Sequence, residues 1–126
     1  IKRAELLQLL LQNPDMLFLD EPESGVDLQN IAVIGNAINE LLGRRVERKT
    51  GETMMQAHHR RRKSGLVITH TGHILEYVDA DTAHTLMYGR LACQGNPREM
   101  LREIRRSGFD ECYRCFRVGV IHELDG

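Results

Sequence analysis

One short segment limits the folds open to this chain more than any other. The apolar run at 16–19 (Met-Leu-Phe-Leu) ends in the acidic residues Asp20 and Glu21, which are followed by Pro22. A short continuous apolar run bounded by turn-forming residues is typical of a strand buried on both faces of a parallel sheet. We therefore predict a buried parallel strand that carries two adjacent carboxylates at its carboxyl end.

The chain after this strand repeats the same order of elements. Asp27 is a favourable N-cap for a helix that ends near Gly43, and one helix face carries the apolar residues Leu28, Ile31, Ile34, Ile38 and Leu41. A second apolar run, 66–69, ends at His70 and precedes another helical pattern. This repetition predicts an α/β fold, a mostly parallel sheet with flanking helices. Ligands of such sheets bind beyond the carboxyl ends of the strands, where the acids and the histidine would lie.

Three further segments carry clear local signals. Residues 2–12 predict a helix that ends before Pro14, because proline disfavours a helical residue in front of it. The segment 83–94 predicts a hairpin on the edge of the same sheet, with its turn at Gly89. The stretch 96–108 predicts a helix capped by its first residue, asparagine, and stopped by its last, glycine.

Two segments lack such signals. The segment 43–65 is rich in arginine and lysine with few apolar anchors, so we predict an exposed basic insertion. It has no interleaved aromatic residues on which bases would stack, and we do not expect it to bind nucleic acid. The tail 109–126 shows no clear periodicity.

Composition places the chain among ordinary globular proteins. It has 126 residues, 41% of them hydrophobic and 28% charged, with a formal net charge of -1, which suits one domain with a modest core. No membrane-length apolar run or secretion signal occurs, so we expect a cytoplasmic protein with reduced thiols at Cys93, Cys112 and Cys115. The lone Cys112/Cys115 pair cannot complete a four-coordinate metal site.

The adjacent carboxylates suit the chemistry of nucleotide hydrolysis. Asp20 would hold Mg²⁺ through water, and Glu21 would orient or deprotonate the attacking water. The competing interpretation is that both acids only begin a loop, and that His70 at the second strand end is a structural residue. The motif alone leaves both interpretations open.

The order of these residues resembles the ABC ATPase family. The acid pair matches the Walker B motif, the stretch 24–27 matches the D-loop, and His70 matches the switch histidine that contacts the γ-phosphate. The longer stretches 21–28 and 68–72, with Gly89 and Arg90 followed by Gly95, look like the SufC-type ATPases of iron–sulfur cluster assembly.

This resemblance implies a set of functional residues and ligands. ATP and Mg²⁺ would be the cofactors, Glu21 and His70 the catalytic residues, and Asp20, Ser24, Gly25 and Asp27 the residues that contact nucleotide or metal. Asp27 has a second interpretation, as a helix cap only. The implied partners are a second ATPase copy, with ATP between the two domains, and scaffold subunits of the SufB/SufD kind.

Two motifs of the family do not occur in the sequence. No Gly-x-x-x-x-Gly-Lys-Ser/Thr loop is present to hold the β- and γ-phosphates, and the signature motif would end just before Ile1. We therefore expect residues 1–126 to be one incomplete nucleotide-binding domain, the C-terminal part of a RecA-like P-loop NTPase core. We do not expect this part to hydrolyse ATP alone.

Two other functions remain open from the sequence. The first is the ATPase subunit of an ABC transporter, whose partner would be a membrane permease. The second is an interaction module that keeps the fold without hydrolysing ATP. Retention of both Glu21 and His70 argues against the second alternative, whereas the lack of a phosphate loop argues for it.

Overall fold

The computed structural model describes residues 2–44 and 49–124, with the side chains of residues 3–44, 49–57 and 59–110. The chain forms two compact units, residues 1–79 and 80–126. No helix in the described part of the chain is both long and apolar enough to cross a membrane.

The first unit is built around a pair of parallel strands. Its elements are α1 (Lys2–Gln12), β1 (Met16–Asp20), α2 (Leu28–Leu41), α3 (Met54–Arg60), β2 (Ser64–Ile68) and a 3₁₀ helix (His73–Glu76). β1 and β2 pair in parallel, from Met16 opposite Ser64 to Asp20 opposite Ile68. The predicted parallel pairing is confirmed, but two strands among the described residues do not by themselves establish a RecA-like core.

α2 covers one face of this sheet. Four of its predicted apolar residues, Ile31, Ile34, Ile38 and Leu41, are buried, as is Leu17 of β1, but the prediction is wrong for Leu28, which is 70% exposed at the start of the helix. The helix lies close to the sheet at Gly65, where a Cβ would lie 2.6 Å from Cδ2 of Leu42. Glycine at this position therefore permits the close packing of helix and sheet.

The opposite face of the sheet is uncovered in the described part of the chain. Four apolar side chains lie there with about half or more of their surface exposed: Met16, Phe18, Leu66 and Ile68. The prediction of a strand buried on both faces is therefore wrong for this chain, since burial of the second face needs a layer that the described residues do not supply.

The segment after α2, predicted as an exposed basic insertion, contains α3, and most of its described residues are exposed. Thr53 and Gln56 form a reciprocal capping box at its start, and Ala57 is fully buried. Across α3, the guanidinium of Arg60 donates two hydrogen bonds to the carboxylate of Glu52, at 3.0 and 3.2 Å. Local capping and pairing thus order a stretch that is poor in apolar residues. Residues 45–48 lie outside the described part.

The pairing of Glu52 makes the stability of α3 depend on pH. The hydrogen bond from Arg60 and the backbone N–H of Lys49 lower the pKa of Glu52 from 4.5 to about 2. A lowered carboxyl pKa contributes stability that is present above pH 4.5 and lost as the pH falls toward 2. We expect the helical ¹³Cα shifts of 54–60 to decrease over that range in the wild-type chain.

Glu52→Gln should show weaker helical shifts at neutral pH and little further change on acidification. Glu40→Gln, which alters an exposed carboxylate of α2, is the matched control and should titrate like wild type. An α3 that keeps the same shifts from pH 6 to 2 in the wild-type chain would contradict the prediction.

The helix predicted after His70 is a single 3₁₀ turn instead. Gly72 precedes it with φ of +75°, and buried Asn39 of α2 holds the backbone after it. Nδ2 of Asn39 donates to the carbonyl of Tyr77 at 2.7 Å, and its Oδ1 accepts from the N–H of Asp79 at 2.8 Å. These contacts bind backbone groups at 77–79 and end the helical turn early.

The second unit contains the hairpin of β3 (Ala83–Met87) and β4 (Arg90–Gly95), followed by α4 (Pro97–Leu124). Tyr88 and Gly89 both have positive φ, as the tight turn of a hairpin requires. The hairpin is confirmed, but it forms a sheet of its own rather than an edge of the β1–β2 sheet.

α4 starts and breaks where the sequence predicts. Oδ1 of Asn96 accepts the N–H groups of Arg98 and Glu99, and Gly108, with φ of +76°, interrupts the helix. The backbone is helical again from there to Leu124, in the tail for which the sequence gives no pattern. A glycine in this conformation separates two helical segments, because other residues rarely adopt it.

The prediction of three reduced thiols is wrong for Cys93, which is disulfide-bonded. Cys93 is half-buried in β4. The side chains of Cys112 and Cys115 lie outside the described residues, so their predicted roles stay predictions. An odd number of cysteines does not exclude one disulfide.

Candidate functional site

The carboxyl ends of β1 and β2 bring the two predicted catalytic residues together. The last ladder contact is the hydrogen bond from the N–H of Glu21 to the carbonyl of Ile68, at 2.8 Å. Glu21 has φ of +47°, so the chain turns sharply as it leaves β1. This turn takes the side chain of Glu21 out of the alternation of the strand.

Glu21 and His70 are in direct contact. Nδ1 of His70 lies 2.9 Å from Oε1 of Glu21, within ion-pair distance, so a proton carried on Nδ1 would lie between the two side chains. The side chains are 40% exposed for Glu21 and 67% exposed for His70. A solvent-accessible carboxylate oriented by an imidazole is a suitable geometry for binding and polarising a water molecule.

Asp20 is the last residue of β1 and is exposed. The described residues contain no group of three or more His, Cys, Asp or Glu able to hold a metal ion. Mg²⁺ often keeps several waters and uses one or two carboxylates together with phosphate oxygens. A single exposed carboxylate at a strand end fits that mode of binding and does not fit a metal cage built by protein alone.

The predicted D-loop residues form an exposed turn beside Glu21. The N–H of Ser24 donates to the carbonyl of Glu21 at 3.0 Å, and the N–H of Val26 donates to the carbonyl of Glu23 at 3.1 Å. Ser24 and Gly25 are exposed, and Gly25 has φ of +72° with open space around it. The turn is therefore accessible to another molecule.

Asp27 occupies the N-cap position of α2 without using its side chain there. Its backbone is extended, and no side-chain capping hydrogen bond is formed. The carboxylate is exposed. The interpretation of Asp27 as a helix cap is thus confirmed for its position and not for its side chain.

Sequence reasoning missed Glu23, the buried acid of this site. Glu23 is 6% exposed, and its Oε1 accepts hydrogen bonds from the hydroxyls of Thr69 and Thr71 on either side of His70. Its Oε2 is buried without a partner among the described residues. The sequence did contain a signal for this contact. Threonines flank His70 at the end of one predicted strand, and Glu23 follows the end of the other, so a parallel pairing would bring hydroxyl donors close to a carboxylate.

The charge of this edge suits a cation or a polarised water better than bare phosphate. Three carboxylates, Asp20, Glu21 and Glu23, lie close in sequence at the end of β1, beside the imidazole of His70. Carboxylates repel phosphate oxygens unless a cation lies between them. Residues elsewhere would have to hold the phosphates of a nucleotide.

Several known proteins are similar to this chain, among them proteins named as ABC transporter ATP-binding proteins or as ATP-dependent transporters. A probable ABC transporter ATP-binding protein of Streptococcus pyogenes serotype M3 is 30% identical over 95 residues, which are 75% of this chain and 30% of that protein. The probable ATP-dependent transporter ycf16 of Cyanophora paradoxa is 28% identical over 109 residues, 86% of this chain and 35% of that protein. The ycf16 protein of Cyanidium caldarium is 31% identical over 108 residues, with the same two shares.

The chain spans about a third of the length of these curated relatives. No family model matches it. The likeness extends over most of the chain and agrees with the resemblance to ABC ATPases that the sequence motifs indicate.

Proposed function

We propose that this chain is the C-terminal part of the nucleotide-binding domain of an ABC-type ATPase and supplies its hydrolytic residues. The observation that carries the proposal is the 2.9 Å contact between Nδ1 of His70 and Oε1 of Glu21 at the ends of two parallel strands. The relatives named as ABC transporter ATP-binding proteins support it.

In this proposal, Glu21, His70 and Asp20 have different roles in hydrolysis. Glu21 contacts Nδ1 of His70 through one oxygen and orients the attacking water through its remaining acceptor positions. His70 contacts the γ-phosphate, as the family resemblance implies. Asp20 contacts the hydration shell of Mg²⁺, which when bound neutralises charge on the phosphates.

The proposed reaction also needs groups that bind the phosphates of ATP, and these lie outside the residues at the strand ends. The β- and γ-phosphates would be held by a phosphate loop elsewhere in the complete domain and by the signature motif of a second ATPase copy. The exposed turn of Ser24 and Gly25, followed by Asp27, would face that copy. Residues 1–126 would together be one incomplete domain.

We further propose that the complete protein is a cytoplasmic SufC-like ATPase of iron–sulfur cluster assembly. The support is the match of 21–28 and 68–72 to that group. Its partners would be scaffold subunits of the SufB/SufD kind. The alternative is an ATPase subunit bound to a membrane permease, which the names of the relatives favour.

Hydrolysis of ATP by a longer chain tests the proposal. The chain is extended upstream to include a phosphate loop and a signature motif, and phosphate release is measured with Mg²⁺ or with excess EDTA. We expect Mg²⁺-dependent hydrolysis that rises when SufB/SufD-like scaffold is added. Activity that ignores scaffold and rises with a permease would favour the transporter ATPase, and no activity with either partner would favour the interaction module.

A further inference from the structure

Glu23 is the buried acidic residue among the described side chains, and the proposed reaction assigns it no role. It lies two residues after Glu21 in the turn that follows β1, immediately before exposed Ser24. A buried carboxylate is costly unless hydrogen bonds compensate for its lost hydration. The groups that donate hydrogen bonds to the Glu23 carboxylate therefore indicate which segment it holds in place.

Both side-chain donors come from the loop that carries His70. Oε1 of Glu23 accepts from the Thr69 hydroxyl, and it accepts from the Thr71 hydroxyl at 3.2 Å. Oε2 is buried without a partner in the described part of the chain, so the two hydroxyls are the compensation that this structure shows. The loop is thus fastened on both sides of the histidine.

The same hydroxyls also organise the backbone that follows. Oγ1 of Thr69 accepts the N–H of Gly72 at 3.0 Å, and Oγ1 of Thr71 lies 3.4 Å from the N–H of His73. A hydroxyl that accepts from the backbone directs its proton elsewhere, here to Glu23. The network therefore fixes both the backbone of the loop and the direction of its hydroxyls.

We propose that Glu23 is a positioning residue, which clamps Thr69 and Thr71 so that Nδ1 of His70 donates to Glu21. His70 is mostly exposed, and little packing would otherwise hold its ring. A carboxylate oxygen 2.9 Å from Nδ1 favours a proton on that nitrogen, so a clamp that keeps the two groups together selects the Nδ1–H tautomer. Nε2 of His70 then stays unprotonated and accepts hydrogen bonds. The catalytic meaning of this tautomer rests on the proposed function, whereas the clamp itself does not.

The tautomer of His70 tests the clamp without any nucleotide. Long-range ¹H–¹⁵N NMR spectra of the 126-residue chain are recorded at about pH 8.5, where an ordinary imidazole is neutral. His70→Gln identifies the signals. We expect the Nδ1–H form to dominate in the wild-type chain. Thr71→Val removes one hydroxyl at an exposed position and should lower that fraction at least twofold.

Two further variants separate the hydroxyl from the shape of the side chain. Thr71→Ser keeps the hydroxyl and should retain the wild-type tautomer. Glu23→Gln keeps the volume but replaces the carboxylate with a weaker acceptor, and it should shift the tautomer in the same direction as Thr71→Val. Glu40→Gln, on the exposed side of α2, is the matched control and should change nothing.

Hydrolysis by the extended chain provides the second measurement. Thr71→Val should lower kcat about tenfold and leave the KM for ATP unchanged, because a misplaced catalytic group slows the chemical step. Thr71→Ser should restore kcat.

The outcomes distinguish the clamp from the proposed function. If Thr71→Val and Glu23→Gln keep the wild-type tautomer in chains whose amide spectra show an intact fold, the positioning role is wrong. A wild-type chain whose His70 carries its proton on Nε2 would overturn it as well. If the tautomer shifts as expected but the extended chain hydrolyses no ATP, the clamp stands and the proposed ATPase function fails.

Discussion

Replacing Glu21 with glutamine in the extended chain is expected to lower kcat for ATP hydrolysis by about 100-fold or more. A positioned general base contributes about 10²- to 10⁴-fold to a reaction rate, and an amide cannot take a proton from water. Glutamine keeps the length of the side chain and an oxygen that accepts from Nδ1 of His70, so the 2.9 Å contact should survive. Phosphate release under saturating ATP and Mg²⁺ measures the effect.

The binding of ATP should stay within a few-fold of wild type, because Glu21 acts on the water. Glu40→Gln removes an exposed carboxylate elsewhere in the same unit and should leave kcat unchanged. Equal hydrolysis by the Glu21→Gln and wild-type chains would remove Glu21 from the reaction. An inactive wild-type chain would instead support the interaction-module alternative.

Replacing Asn39 with alanine is expected to lower the free energy of unfolding of the first unit by about 3 kcal/mol. The change removes two hydrogen bonds, to the carbonyl of Tyr77 and from the N–H of Asp79, at a residue that is nearly fully buried. It removes the partner that Asn39 supplies to those part-buried backbone groups, and an unsatisfied buried group costs about 1–3 kcal/mol. Urea unfolding measures the loss.

Gln29→Ala is the matched control, because Gln29 lies in the same helix, carries an amide and is exposed. Both variants remove an amide side chain from α2, so the difference between them reports on the buried contacts. We expect the Gln29 variant to stay within about 0.5 kcal/mol of wild type. Equal losses from the two variants would show that Asn39 does not hold the segment 77–79.

Local signals in the sequence predicted the elements well wherever neighbouring residues decide the structure. Asn13 ends α1 in front of Pro14, the turn at Gly89 closes the hairpin, and Gly108 interrupts α4. Each depends on backbone preferences of one or two residues. The apolar face of α2 was also predictable from its period of 3.6 residues, except for Leu28 at the start of the helix, which is exposed.

Long-range packing was less predictable. The pattern of β1 does not say which layers cover it, and Phe18 is 69% exposed. The order of α3 comes from Thr53, Gln56 and the Glu52–Arg60 pair, which compensate for a composition that suggests a loop. The disulfide of Cys93 needs two cysteines to meet in space, which spacing alone does not reveal.

The candidate site was partly predictable for the same reason. Parallel strands place their carboxyl ends together, so Glu21 and His70 were expected at one edge. Their contact confirms this proximity, whereas the catalytic roles of Glu21, His70 and Asp20 and the roles of Ser24, Gly25 and Asp27 remain proposals. Glu23 was missed because the sequence does not show that Thr69 and Thr71 both reach it across the paired strand ends.

At position 21, the backbone conformation and the side-chain contact favour different residues. With φ of +47°, this residue adopts a conformation that disfavours most side chains and that glycine adopts at little cost. Stability alone would therefore favour glycine at position 21, whereas the contact with His70 requires a carboxylate. If the proposed chemistry holds, activity requires Glu21 and therefore a less stable turn after β1. Among variants selected only for thermal stability, replacement of Glu21 would then be an early change.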